Sequence, residues 1–267
     1  HDALSISYRY NFLTNNCTTK ARDMIEQAVD GHVVYPEADL HLTYRQLLHS
    51  YTEDYPWSEQ GNDILLGADC DTVLSDRAMQ FLPERLMEYV DGAKIFDDEG
   101  NRHPLLGETR VLLQEDERLL HPVADERFAW LTPLAVGLIA LGLALLIVVA
   151  EQWMCRQWLL VDVLLMTLQG LAGVLLCFMF VFSKHPTMDS NWQIWVFNPL
   201  PLFCVAWVVR CARRRKVCLY HYVNILWLTL FVVFSLWIPQ DFSVLTLPLA
   251  LVLLTRPVSY YLNYNRR

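Results

Sequence analysis

From Trp130 onward the chain is built of long apolar runs separated by short polar stretches; before it, apolar positions recur singly or in small groups. The run 130–149 has no charge over about 20 residues, the length a helix needs to cross the hydrocarbon core. Further runs follow at 158–182, 194–209, 220–238 and 242–255, the third and fifth reaching spanning length only with flanking residues added. This pattern predicts an all-α bundle of five transmembrane helices over 128–267.

The preceding 127 residues predict an α+β domain. Residues 18–29 have helical periodicity, with Ile25 and Val29 on an apolar side and Lys20, Arg22 and Glu26 outside it. Asp30-Gly31 closes that helix. A brief apolar run, 33–35, stops at Pro36, and Thr43 caps a helix over 44–51. Pro56-Trp57 with Gly61 predicts a loop. Residues 76–89 are helical in pattern, divided at Pro83. Residues 94–96 and 110–113 are candidate strands around a turn at 97–101, and 5–12 is a strand or an extended lead-in.

Charge divides at the same place. Residues 1–127 hold 11 Lys/Arg against 25 Asp/Glu, and residues 128–267 hold 10 against 4. An acidic soluble domain excludes nucleic acid as the main partner, because phosphate binding needs basic patches. Nine of the ten basic residues after 127 fall in segments on one side of the predicted spans, and only Lys184 falls on the other. The positive-inside rule then places the acidic domain outside and the C-terminus in the cytoplasm of a multi-pass membrane protein. Trp130, Trp153, Trp158, Trp192, Trp195 and Trp237 sit near span ends, as an interfacial belt requires. An exported domain with no initiator Met or signal peptide ahead of it reads as the C-terminal part of a longer protein.

Of seven cysteines, only Cys17 and Cys70 fall in the external domain. No CxxC or Cys/His ligand spacing is present, so neither a metal nor another cofactor is expected. Cys17 lies in Asn15-Asn16-Cys17-Thr18-Thr19 at the start of the first predicted helix. Unpaired N–H groups and the positive dipole end stabilise a thiolate there. A small buried residue, or a disulfide to Cys70, are the plainer readings of the same thiol. The flanking Asn and Thr residues pack poorly but hydrogen-bond well, suiting Asn16 and Thr18 to an oxyanion or positioning role.

Tyr8-Arg9-Tyr10-Asn11-Phe12, Asn16-Cys17-Thr18-Thr19, Arg22-Asp23, Phe81-Leu82-Pro83-Glu84, Ser183-Lys184-His185-Pro186, Asn191-Trp192 and Asn198-Pro199-Leu200 together resemble a family of bacterial inner-membrane proteins. Its members carry a periplasmic thiol domain followed by five transmembrane helices and have been assigned lipoprotein N-acyltransferase activity. The Asn-Cys pair opening a helix is also similar to permuted papain-like acyltransferases, in which the catalytic His precedes the Cys. The resemblance implies a papain-like thiol domain incomplete at its N-terminus, Cys17 as catalytic nucleophile, and a partner His upstream of residue 1. It further implies a phospholipid acyl donor and diacylated lipoproteins as partners within the lipid bilayer.

His185, Asn191 and Asn198 cluster in and after the external connection 183–193, where a headgroup would lie, and are candidate substrate-binding residues. His185 serves equally well as an interfacial anchor, and Asn198-Pro199 as a helix start. Within the spans, Asp162 and Gln169 need partners and suit helix packing or a polar cavity. Two rival functions use the same residues: a membrane-tethered cysteine peptidase or amidase, and a non-enzymatic membrane assembly factor with a structural Cys17.

Overall fold

The computed structural model describes residues 8–38, 40–97, 99–111, 130–183 and 187–265. The chain divides into two compact units, one of residues 1–48 and 72–124, the other of 49–71 and 125–267.

In the first unit, helix α1 (Cys17–Ala28) precedes strand β1 (His32–Val34) and helix α2 (Tyr44–His49), whose last residue enters the second unit. Helices α4 (Asp76–Met79) and α5 (Pro83–Asp91) follow, then strands β2 (Lys94–Phe96) and β3 (Arg102–Pro104). The division of 76–89 falls at Pro83, which starts α5 at the position where its missing N–H costs nothing. The strands form an antiparallel sheet in the order β1-β2-β3, with Val33 opposite Ile95 and Ile95 opposite His103. Gly31 adopts φ 111°, and a side chain there would collide with the Phe96 carbonyl, so glycine is what lets the chain leave α1 and enter the sheet.

The strand expected at 110–113 is instead β3. Asp97 accepts hydrogen bonds from the backbone N–H groups of Glu99 and Asn101, closing a tight turn that lets pairing resume at Arg102. Arg110 and Val111 are not in a strand, and residues 112–113 lie outside the described residues. Of the stretch 5–12, residues 8–10 form no strand and Asn11 makes an isolated bridge to Asn15. Leu13, Leu47, Met79, Phe81 and Tyr89 are buried, and Phe81 meets the rings of Phe12 and Tyr44 edge-on.

In the second unit, Pro56–Leu65 forms helix α3 in place of the expected loop. Pro56 occupies the first turn, where proline is tolerated, and Gly61 has no neighbour within 4 Å of a would-be side chain. Buried Gln60 and Asp63, with Ile64 and Leu65 against the apolar core of the bundle, supply the packing that overrides local propensity.

Helices α6 (Pro133–Trp153), α7 (Leu159–Phe182), α8 (Leu200–Arg213), α9 (Leu219–Phe234) and α10 (Thr246–Asn265) complete this unit. Among the described residues, three segments are long and apolar enough to cross a membrane: Pro133–Trp153, Leu159–Phe182 and Trp192–Arg213. The last joins a short 3-10 turn (Trp192–Trp195) to α8. Leu219–Phe234 is shorter and apolar, and α10 carries Arg256 and Pro257 within it. The bundle is polar inside and apolar outside: Leu146, Leu160, Phe203 and Leu226 are exposed, while Glu151, Asp162, Gln169 and Arg256 are buried. That inversion is what a lipid solvent demands. Helix α10 packs chiefly on α6 and α9, and α7 on α8, where Gly173 lies so close to the Asn198 backbone that any side chain would clash.

Candidate functional site

Cys17 is the first residue of α1 and is exposed, its thiol in no disulfide. The preceding Asn16 is extended (φ −111°, ψ −174°) and buried. Its Oδ1 accepts from the Thr19 N–H at 2.9 Å, and the Thr19 hydroxyl accepts from the Asn16 N–H at 2.9 Å, a reciprocal capping box. Both hydrogens of the Asn16 amide donate to backbone carbonyls, of Phe12 and Phe81, each at 2.8 Å. The Asn16 side chain therefore positions the helix start and has no donor left for an oxyanion. Among the described residues, the N–H groups of Cys17 and Thr18 have no acceptor, and they are the donors this helix end offers to developing negative charge. The Thr18 side chain is buried.

The far side of the first turn is also anchored. Arg22 is buried, donating to the Arg77 carbonyl at 3.0 Å and to Asp23 Oδ1 at 3.0 Å. Arg77 in turn donates to Glu26 at 2.7 and 3.0 Å. These hydrogen bonds, helped by the charges of Arg77 and Arg22, hold the Glu26 carboxyl below the usual range. Thr19 takes part in the helix cap to which the Asn and Thr residues flanking Cys17 are suited by sequence, whereas nothing local marks Arg77.

The three residues expected to bind substrate fare differently. His185 lies outside the described residues. Asn191 is buried and saturated: its amide donates to the carbonyls of Ile64 (2.8 Å) and Leu65 (3.3 Å), and its Oδ1 accepts from Gln193 N–H and from Gln240. Instead of facing a headgroup, it fastens the end of α3 to the bundle. Asn198 closes a local turn, donating to the Trp195 carbonyl and accepting from the Leu200 N–H, each at about 3.2 Å.

Around Asn191 runs a polar network that sequence reasoning did not find. Fully buried Gln193 donates to the Asp63 carbonyl at 2.6 Å and accepts from the Thr246 hydroxyl at 2.8 Å. Gln60 donates to the Ser243 hydroxyl at 2.7 Å, and Gln240 to the Leu66 carbonyl at 3.2 Å. Gly67 donates its N–H to the Thr187 carbonyl. Beside this network a cavity of about 580 Å³ is walled by Leu134, Leu138, Phe231 and Leu251, with Gln240, Ser243 and Thr246 among its polar residues.

At the opposite end of the bundle, Arg256 donates to Glu151 at 2.8 Å and to Asp162 at 2.7 Å, all three side chains being 4% exposed or less. Ser259 also donates to Glu151, and Gln157 to Asp162. Gln169 donates to the Val196 carbonyl at 2.8 Å. Glu151, Asp162, Gln169 and Arg256 are thus partnered in helix packing, whereas both ring nitrogens of buried His221 in α9 lack a hydrogen-bond partner. One cluster among the described residues has metal-ligand composition, His49, Glu59 and Asp63, with ligand atoms within 4.8 Å of one another. His49 Nε2 lies 2.9 Å from Asp63 Oδ1, a hydrogen bond that explains the pair without an ion.

The family model for the Lnb transmembrane domain matches residues 125–267, and that for the Lnb N-terminal periplasmic domain matches residues 4–50. No curated protein and no solved structure matched the chain. The first match covers the apolar-faced bundle, and the second covers the stretch that holds Cys17 and α1. With more than half of its length matched, the chain belongs to the Lnb lipoprotein N-acyltransferase-like family, as a multi-pass inner-membrane protein with a periplasmic N-terminal domain.

Proposed function

We propose that this protein is a lipoprotein N-acyltransferase that moves an acyl chain from a phospholipid to the N-terminal amine of a diacylglyceryl-cysteine lipoprotein. The observation that carries this reading is the exposed Cys17 thiol at a rigidly capped helix start, in a chain of the Lnb family. The Cys17 sulfur attacks an ester carbonyl of the phospholipid, its proton passing to a histidine base that the resemblance places ahead of Cys17. A C–S bond forms, the ester C–O bond breaks, and the lysophospholipid leaves with a proton. The lipoprotein amine then attacks the thioester, forming the amide and returning the thiol. The N–H groups of Cys17 and Thr18 stabilise the oxyanion in both steps, with Asn16 and Thr19 holding them in place.

The thiol unit is read as papain-like in permuted order, supported by a helix opening on cysteine within the unit that holds an antiparallel sheet. Five spans, with the C-terminus cytoplasmic, are supported by the three segments of spanning length, by α9 and α10 packed with them, and by the basic residues at Arg156 and Arg210–Lys216. The apolar cavity beside Ser243 and Thr246 suits an acyl chain, its volume lying within the roughly 300–1,000 Å³ typical of ligand sites. The test is mass spectrometry of lipoprotein N-termini in cells whose only such enzyme is this protein. Cys17→Ser should leave them as free amines while the protein still inserts. Continued N-acylation by that variant would overturn the reading.

A further inference from the structure

The end of the bundle opposite α3 carries a second cavity, of about 560 Å³, that the acyl-transfer reading does not use. Its lining includes Arg156, Gln157, Arg213, Arg215, Asn263 and Tyr264. We propose that this cavity binds the phosphate headgroup of an anionic phospholipid from the leaflet at that end of the bundle.

Three arginines from two separate segments converge here, Arg156 in the turn after α6 and Arg213 and Arg215 at and just beyond the end of α8, and none has a carboxylate partner among the described residues. The carboxylates nearest Arg156 in sequence, Glu151 and Asp162, are already taken by Arg256. The turn carrying Arg156 is pinned, with the Arg156 N–H donating to the Glu151 carbonyl at 3.1 Å and the Trp158 N–H to the Glu151 carboxylate at 2.6 Å. Gln157, a lining residue, is fixed by Asp162 at 2.7 Å. The turn carrying Arg215 is held from α10: the Tyr260 hydroxyl donates to the Lys216 carbonyl, and that of Tyr261 to the Cys218 carbonyl at 2.7 Å. Cys155 and Arg215, one in each turn, are the described non-glycine residues with positive φ. The buried ion cluster and α10 thus hold both basic turns around one concavity.

Asn263, 8% exposed, also lines the cavity, and its Oδ1 has no hydrogen-bond partner. That atom is itself buried, so what the lining presents to a ligand is the guanidinium donors, which suit a phosphate. Since the cavity lies between membrane helices at their basic end, a lipid headgroup is the phosphate that reaches it with its chains still in the bilayer.

The proposal is tested by native mass spectrometry of the full chain released from detergent, with phosphatidylglycerol, phosphatidylcholine or inorganic phosphate added. Wild type should retain the anionic lipid at least about tenfold more tightly than the zwitterionic one. The variant R156Q/R213Q/R215Q should lose at least about that preference, because it removes the charged donors that would contact the phosphate directly. The variant R210Q/R214Q/K216Q removes the same charge from residues outside the lining and should change retention less than about twofold, as expected of exposed charges that make no direct contact. Equal losses in the two variants would reduce the effect to surface charge and overturn the site. Displacement of the lipid by inorganic phosphate at matched concentration would overturn the lipid assignment. The single change Arg213→Gln, with thermal unfolding unchanged, provides the same comparison if the triple variant fails to fold.

Discussion

At the scale of single residues, the start of α1 depends on one side chain that makes three hydrogen bonds. Asn16→Ala removes the N-cap, worth about 0.5–2 kcal/mol, and strips donors from the Phe12 and Phe81 carbonyls. It should lower the unfolding temperature and, by loosening the first turn, slow alkylation of Cys17 at neutral pH relative to wild type. Glu26 makes a second prediction. Its folded-state titration lies below the ordinary 4.5 because Arg77 hydrogen-bonds the carboxylate. The folded protein therefore binds this proton less readily than the unfolded chain, and the resulting stability is present above that value and lost as pH falls through the lower one. Arg77→Gln should flatten the acid limb of a stability profile taken from about pH 6 to 3. An unchanged acid limb would mean that the pair contributes nothing.

At the scale of elements, α3 and the turn after it are held to the bundle by buried side-chain amides. Gln193→Ala leaves the Asp63 carbonyl and the Thr246 hydroxyl without that partner, and a buried unsatisfied group costs about 1–3 kcal/mol. Hydrogen exchange over residues 56–71 should speed up while α1 keeps its protection. Gly67→Ala should have a similar effect by a different route, since a side chain there would strike the Thr187 carbonyl. Uniform exchange across the chain in either variant would show that this segment does not respond as a separate element.

For the whole molecule, the buried Arg256 cluster is the place where one substitution should matter most. Arg256→Gln leaves two carboxylates uncompensated in the protein interior, at a cost of about 3–5 kcal/mol. Unfolding in detergent should show that loss, whereas Arg210→Gln, an exposed arginine one helix away, should fall within about 0.5 kcal/mol of wild type. The proposed orientation is checked by reporters. An alkaline phosphatase fused after Arg267 should be inactive, and one inserted at 187–190 active. The opposite pattern would place the thiol unit in the cytoplasm.

Much of this was legible in the amino-acid order because it rests on local physics. Apolar runs of membrane length mark Pro133–Trp153 and Leu159–Phe182, because the bilayer leaves a backbone no alternative to a helix. The start of α1 and the break at Pro83 follow from side chains that act within one turn. What local order could not convey is which distant groups meet. Helix α3 forms across a proline and a glycine because its buried face has a bundle to pack on. Asn191 and Arg256 look in sequence like a headgroup contact and a topology charge. Tertiary structure makes one a fastener for Ile64 and Leu65, and the other the counter-ion of Glu151 and Asp162. A polar residue's role in such a protein is set by whether its hydrogen bonds are filled from within, and those partners lie up to 183 residues away.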